Sequence, residues 1–128
     1  MYLRAHGNID FKIQNRCVIN KPNTAFNEEG VNLLFSHILE EIKTKRVDEW
    51  VLIEVLRENA LPTPEAMRAL VENYKKAKEQ GCIKIAAVCK VSLQKHFLSS
   101  IAEKAKVNIC FYTSENEATE DNEHITKP

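Results

Sequence analysis

The histidines are the side chains best suited to acid–base or nucleophilic chemistry near neutral pH. The chain has four of them, His6, His37, His96 and His124. A catalytic histidine needs a nucleophile or an acid partner within reach. No Ser, Cys or Asp stands at a recognisable motif spacing from any of the four. We therefore expect surface or boundary histidines, and the sequence predicts no catalytic residue and no enzyme.

Paired carboxylates could form an acid–base dyad, and the adjacent pairs here are Glu28 with Glu29 and Glu40 with Glu41. Neighbouring residues of a helix do not face each other, so both pairs are typical of solvated helix faces. Glu54 differs because it lies in an otherwise apolar strand segment. Burial would raise the pKa of its carboxyl and require a polar partner. We interpret Glu54 as an edge residue or as a buried acid with a partner.

The cysteines and glycines indicate neither a metal site nor a phosphate-binding loop. None of Cys17, Cys82, Cys89 and Cys110 belongs to a C-x-x-C pair, and the missing ligand spacing argues against structural zinc. Buried thiols in apolar runs are typical of a reducing cytoplasm. Glycine occupies only 3 positions, too few for a Gly-rich phosphate loop. The sequence thus predicts no metal and no cofactor.

Thr63 is the hydroxyl residue in the most informative position, because Pro64 follows it at the start of a predicted helix. A phosphate at a helix N-terminus is favoured by the free amides and by the helix dipole. Thr63 is therefore a candidate phosphorylation or partner-contact position. The alternative is a plain N-cap worth about 1 kcal/mol, which Pro64 also favours. Ser92 presents the same choice at the next helix.

An apolar stripe on the second and third predicted helices could line a slot for a hydrophobic ligand. Its members are Met67, Leu70, Leu93, Phe97, Leu98 and Ile101. Lysines flank the part that lies on the third helix, an arrangement that also occurs in helices lying on a membrane surface. These lysines are Lys90, Lys95 and Lys104. Packing in the core is the alternative for the whole stripe.

The strands that would position these residues follow from the pattern of apolar side chains. Alternation over Ile9–Gln14, a tight reversal at Asn15 and the segment 17–19 predict an N-terminal β-hairpin. Three short apolar runs predict further strands, at 50–56, 83–88 and 107–112.

Helical spacing of apolar residues follows each of three predicted caps, Asn27, Thr63 and Ser92. Gly81 suits the end of the second helix. The element order is therefore β-β-α-β-α-β-α-β. This order predicts an α/β domain with a mixed, mostly parallel sheet of about five strands, in which the hairpin supplies one antiparallel edge.

The chain as a whole has the size and composition of one globular domain, with 128 residues. Its 18 basic and 18 acidic residues cancel, which argues against a nucleic-acid binder. No apolar run approaches the roughly 18 residues of a membrane span, and the N-terminus lacks the pattern of a signal peptide. We expect the domain to occupy residues 1–113. Residues 114–128 are expected to form a polar acidic tail, as a frayed helix or a disordered segment.

Several short segments, taken in their order and spacing, form a pattern shared with a known family. They are the helix openings at 26–31 and 61–66, the strands at 51–55, 85–88 and 111–113, and the pair Glu117-Ala118. Through these segments the chain resembles the SpoIIAA-like, or STAS-like, proteins over nearly its whole length. The resemblance implies a stand-alone bacterial domain with a SpoIIAA-like fold.

The resemblance also implies a function, namely a non-enzymatic regulatory module that binds a protein partner in the cytoplasm. Phosphorylatable relatives carry Asp-Ser-Ser/Thr-Gly where the central strand meets the second helix. This chain has Ala-Leu-Pro-Thr-Pro at 60–64, so only the Thr63 hydroxyl matches. Relatives often end their last helix with Trp-Leu, where this chain has Asp121-Asn122.

An alternative function follows from a fold analogy with CRAL-TRIO lipid carriers. In that case the chain would be a carrier or sensor of a small hydrophobic, lipid-like ligand. It would associate peripherally with the inner membrane through the flanked apolar stripe of its third helix.

Overall fold

A computed structural model of the chain describes residues 9–22, 27–58 and 60–126. Within these ranges an opening hairpin is followed by alternating helices and strands. The elements are β1 (Ile9–Gln14), β2 (Cys17–Pro22), α1 (Glu28–Thr44), β3 (Trp50–Val55), α2 (Pro64–Glu79), β4 (Cys82–Val88), α3 (Ser92–Ala105), β5 (Ile109–Tyr112) and α4 (Glu115–Thr126).

The strands of the described ranges form one five-stranded sheet in the order β1-β2-β3-β4-β5. β1 runs antiparallel to β2, and Gln14 lies opposite Cys17 at the turn. The pairs β2–β3, β3–β4 and β4–β5 are all parallel. The predicted α/β class, with a mixed and mostly parallel sheet and a hairpin at one edge, is therefore confirmed.

The helices divide between the two faces of the sheet. Because each parallel connection advances by one strand in the same direction, the right-handed crossover rule places α1, α2 and α3 on one face. The larger core lies there, with Phe35 of α1 and Tyr74 of α2 packed over Trp50 and Leu52 of β3. Ala118 of α4 packs on the opposite face, in a smaller cluster.

The N-termini of the helices show how the local sequence determines where a helix begins. The Asn27 side chain accepts a hydrogen bond from the Gly30 amide at 2.8 Å and caps α1, as predicted. The third helix differs from the prediction, because Val91 is its N-cap and Ser92 is its first helical residue. The buried side chain of Gln94 holds this helix start in place by hydrogen bonds to the loop that follows β3.

Gly81 ends α2, as the sequence predicts, and only glycine suits its conformation. Its φ is +103°, in the left-handed region, and a Cβ there would lie 2.0 Å from the Asp48 carbonyl oxygen. Both the backbone angle and the close approach require a residue without a Cβ. This turn leads directly into β4.

α4 packs across the second face of the sheet with few apolar contacts. Ala118 is fully buried, and the buried Asn122 donates a hydrogen bond to the Ala118 carbonyl at 2.7 Å. Salt bridges and hydrogen bonds join the exposed side of α4 to the rest of the domain. One of them is a salt bridge of 2.7 Å between Lys21 and Glu115. The helix is therefore attached mostly through polar side chains.

Candidate functional site

A groove of about 590 Å³ lies between α2 and α3. α2 contributes every third or fourth residue over two turns, and α3 contributes a matching stripe. The lining residues are Pro64, Met67, Arg68, Val71 and Glu72 of α2, and His96, Phe97, Ser100, Ile101 and Lys104 of α3. Apolar side chains form the floor of the groove, and charged or polar side chains form its rim.

The fold explains why these two stripes meet. α2 and α3 return from successive parallel strands, so they run side by side in the same direction on one face of the sheet. One side of each helix is buried on the sheet, where Leu70 and Leu98 lie in the core. The stripe next to the buried side on each helix then faces the neighbouring helix across the groove.

The six residues of the predicted apolar stripe have three different environments. Met67 and Phe97 are half-buried and line the groove, together with the nearly buried Ile101. Leu70 and Leu98 belong to the core, with 2% and 5% of their surface exposed. Leu93 is 47% exposed and is not part of the groove lining.

Thr63 lies at one end of the groove, directly before Pro64, which lines it. Its hydroxyl oxygen accepts a hydrogen bond from the Ala66 amide at 3.0 Å, so Thr63 is the N-cap of α2. The residue itself is exposed. Leu61, two residues earlier, is 41% exposed as well, and like Thr63 it precedes the residues that line the groove.

The loop before Thr63 is tied to α3 by one side chain. Gln94 donates two hydrogen bonds through its Nε2, to the Arg57 carbonyl at 2.6 Å and to the Ala60 carbonyl at 2.9 Å. Gln94 is only 1% exposed, so both bonds are shielded from water. The loop and the wall of the groove are therefore held in a fixed relation.

A second polar group lies inside the core, where Glu54 of β3 sits opposite Asn20 of β2. Asn20 Nδ2 donates a hydrogen bond to Glu54 Oε2 at 2.8 Å. Burial raises the pKa of Glu54 to about 7, against a smaller lowering by this hydrogen bond. Burial also raises the pKa of Tyr74, and the nearby Glu54 charge adds to that effect. Neither Glu54 nor Asn20 lines the groove.

A third polar cluster lies beneath α4, around the Tyr112 hydroxyl. Lys84 Nζ donates to this hydroxyl at 3.0 Å, and the hydroxyl donates to Asp121 Oδ2 at 2.5 Å. Asn122 Nδ2 also donates to it, at 3.3 Å. The cluster joins β4, β5 and α4, and its members are too far apart in sequence to be recognised there.

Three residues of the predicted apolar stripe, Met67, Phe97 and Ile101, line the groove, whereas most of its polar rim was not predicted. Lys104 was one of the lysines predicted to flank the apolar stripe, and His96 was expected as a surface or boundary residue, whereas the sequence assigned no role to Arg68 or Glu72. The sequence does contain one indication of the rim, because residues 64, 68 and 72 form a stripe of α2 beside Met67 and Val71. It shows which side of α2 carries charge, but not that α3 faces that side.

Within the described ranges no three His, Cys, Asp or Glu side chains are grouped so that they could hold a metal ion. Of the helices in that part of the chain, none is both long and apolar enough to span a membrane.

Comparisons with known proteins relate the chain to solved structures only. No protein-family model matches it, and no curated protein matches it either. The solution structure of protein TM1081 has a TM-score of 0.65 and 20% identity, and the match covers 94% of this chain and 93% of that one. A crystal structure of the same Thermotoga maritima protein, a candidate anti-sigma factor antagonist, has a TM-score of 0.61 and 21% identity over 88% and 92% of the chains.

A third solved structure settles the fold. It is an uncharacterised protein of the DUF3478 family from Shewanella loihica, described as having a SpoIIAA-like fold. Its TM-score is 0.63 at 12% identity, with 94% of this chain and 97% of that chain covered. The present chain has a SpoIIAA-like fold. The resemblance seen in the sequence is thereby confirmed for the fold.

Proposed function

We propose that this chain is a non-enzymatic regulatory module of STAS-like type, which acts by binding another protein at the α2–α3 groove. The observation that carries the proposal is the groove itself, with an apolar floor of Met67, Val71 and Phe97 inside a polar rim. An apolar centre with a polar border is the usual anatomy of a protein–protein interface. A surface of this kind needs no catalytic group to function.

The fold neighbours support a regulatory role. TM1081 is a candidate anti-sigma factor antagonist, and it shares the fold over most of both chains. An anti-sigma factor antagonist is named for its effect on another protein. Regulation through contact is consistent with the way the groove rim displays charged side chains without grouping them into a catalytic arrangement.

Thr63 is part of the proposed contact surface. Its exposed position beside Pro64, which lines the groove, supports this role. A phosphate on Thr63 would add charge at the N-terminus of α2, where free amides favour it. Thr63→Glu and Thr63→Val test these two roles. A contact role predicts weaker partner binding for both variants, whereas a phosphorylation role predicts that only Thr63→Glu changes it.

A cytoplasmic location is part of the same proposal. Among the described residues no disulfide joins any of the four cysteines, Cys17, Cys82, Cys89 and Cys110, and the Cys110 side chain is exposed. An exposed free thiol is compatible with a reducing compartment and is disfavoured outside the cell. The protein partner is therefore sought among cytoplasmic proteins.

Site-specific photo-crosslinking in the producing cells tests the protein-binding role. A photoreactive amino acid is placed at Val71 or Ser100 in the groove, and at Lys43 on the outer side of α1 as a control. We expect the two groove positions to yield the same covalent adduct and the α1 position to yield none. Identical adduct patterns from all three positions would contradict the proposal.

The captured protein is then purified and titrated against the free chain and against a Phe97→Ala variant. Weaker binding to the variant is expected, because Phe97 forms part of the floor. Solvent extraction of the purified chain with mass spectrometry tests the competing carrier role. A stoichiometric lipid or fatty acid in the extract would overturn the protein-binding proposal.

A further inference from the structure

The rim of the groove carries an excess of positive charge. Arg68 stands on the α2 side, and Lys104 stands on the α3 side. Among the described lining residues the only acid is Glu72, and it forms a salt bridge of 3.5 Å with Lys75 on the outer surface of α2. Within the described part of the chain no salt bridge joins Arg68 or Lys104 to an acid.

This local charge contrasts with the composition of the whole chain. The 18 basic and 18 acidic residues balance overall. α4 carries five acidic residues and no lysine or arginine, and it lies on the opposite face of the sheet. The groove is therefore a cationic patch on a neutral molecule. A patch of one sign steers an oppositely charged partner and discriminates against a partner of the same sign.

The dimensions of the groove suit a helix. Its lining runs over residues 64–72 of α2 and 96–104 of α3. At a rise of 1.5 Å per residue each stripe is about 12 Å long, which is slightly more than two helical turns. Two parallel helices with an apolar floor between them accept a third helix, which is anchored by residues at i, i+3 or i+4, and i+7.

We infer that the groove binds one amphipathic helix of the partner protein, with acidic residues flanking its apolar stripe. This inference rests on the proposed protein-binding function and adds the chemistry of the partner. The apolar stripe packs on Met67, Val71 and Phe97. Carboxylates on its two borders pair with Arg68 on one rim and Lys104 on the other. The cation on each rim thus fixes both the choice of partner and its seating in the groove.

The weakness of exposed ion pairs indicates how the floor and the rim of the groove contribute to binding. Pairs that remain in contact with water contribute little to affinity and are screened by salt. The floor therefore supplies most of the affinity, and the rim supplies selectivity. Changing the sign of two rim charges changes attraction to repulsion at both borders, and we expect an effect of about tenfold in affinity, which corresponds to about 1.4 kcal/mol.

The experiment uses two designed peptides with the same leucine stripe, one flanked by glutamates and the other by lysines. Each is titrated into the isotopically labelled full chain at low salt, and amide chemical shifts are followed. We expect the glutamate peptide to shift amides of 65–72 and 96–104 and to bind about tenfold more tightly than the lysine peptide. The preference is expected to shrink at high salt.

Charge-reversed variants connect the preference to the named residues. The double variant Arg68→Glu/Lys104→Glu should prefer the lysine peptide. The matched control Lys12→Glu/Lys43→Glu makes the same change in net charge, on β1 and at the end of α1, and should keep the original preference. Loss of preference in both variants would show an effect of total charge and would overturn the inference.

Other outcomes also overturn the inference. They include equal binding of the two peptides, shifts confined to residues outside the groove, and groove shifts produced by phosphatidylglycerol vesicles but by neither peptide. The cross-linking experiment separates this failure from failure of the proposed function. If cross-linking captures a partner at Val71 while the peptides show no charge preference, the groove binds a protein and the acidic-helix inference is wrong.

Discussion

At the scale of single residues, the pair formed by Glu54 and Asn20 has the clearest chemical consequence. One hydrogen bond joins them, and two further buried oxygens, Glu54 Oε1 and Asn20 Oδ1, have no partner among the described residues. A proton on the Glu54 carboxyl would make it a hydrogen-bond donor as well as an acceptor. Glu54 is 2% exposed, and a neutral acid avoids the cost of a buried charge.

The pH dependence of stability follows from this pair. The pKa of Glu54 rises from 4.5 to about 7 on folding, so its contribution is fully present below pH 4.5 and is lost as the pH rises to about 7. The free energy of unfolding should fall by about 3 kcal/mol across that window. Urea unfolding at a series of pH values measures this change.

Glu54→Gln removes the titrating group and keeps the amide partner for Asn20, so its stability should vary less over the same pH window. Glu103→Gln, at an exposed position of α3, is the matched control and should keep the original dependence. An unchanged pH profile for Glu54→Gln would show that Glu54 is not the group responsible.

Two tyrosines of this chain differ in what their hydroxyls contact. The Tyr112 hydroxyl receives hydrogen bonds from Lys84 and Asn122 and donates one to Asp121. The Tyr74 hydroxyl is buried without a partner among the described residues. Tyr112→Phe should destabilise by about 1 kcal/mol, because it removes hydrogen bonds that are partly open to water, whereas Tyr74→Phe should be neutral or stabilising.

The loss in Tyr112→Phe should be localised, because the hydroxyl joins α4 to the sheet. Hydrogen exchange measured by mass spectrometry on peptides covering residues 115–126 should become faster in that variant and not in Tyr74→Phe. Equal exchange in the two variants would mean that the cluster does not hold α4 in place.

At the scale of elements, Gly81 determines how α2 turns into β4. Gly81→Ala would place a Cβ 2.0 Å from the Asp48 carbonyl at a φ of +103°. The strained backbone and the clash should lower stability by at least about 2 kcal/mol. Thermal unfolding of the purified variant measures the loss, and a melting temperature equal to that of the parent chain would contradict the expected strain.

The elements were predictable where one local signal decides them. Asn27 and Thr63 accept the amide bonds expected of N-caps, and Gly81 follows the end of α2. The start of α3 was not predictable from Ser92, because Gln94 fixes it through carbonyls more than thirty residues away. A tie between distant segments leaves no periodic pattern in the sequence.

At the scale of the whole molecule, the order of strands and helices predicted the sheet, while the groove required the structure. The burial of Leu70 and Leu98 was expected as one of two alternatives, but their separation from Met67 and Phe97 depends on the rotation of each helix about its axis. Likewise Asn20 could not be paired with Glu54 before the register of β2 and β3 was known. Polar residues of this kind meet only through the tertiary fold.

Phe97 and Leu98 provide a test of the separation between core and groove. Leu98→Ala removes a core side chain and should cost about 2–5 kcal/mol of stability. Phe97→Ala removes a half-buried side chain and should cost about 1 kcal/mol. Binding of the captured partner should show the opposite order, measured by titration at a temperature where both variants are folded. Weaker binding for Leu98→Ala than for Phe97→Ala would place the contact surface elsewhere.

The Gln94 side chain gives the molecule a mechanical connection between its two proposed contact regions. Its two hydrogen bonds join the loop before Thr63 to α3. A displacement of α3 would therefore move that loop, and a displacement of the loop would move α3. A protein bound in the groove and a chemical change at Thr63 would therefore both act on the segments that the Gln94 hydrogen bonds join. The two hydrogen bonds of Gln94 would then couple the Thr63 end of the groove to its α3 wall.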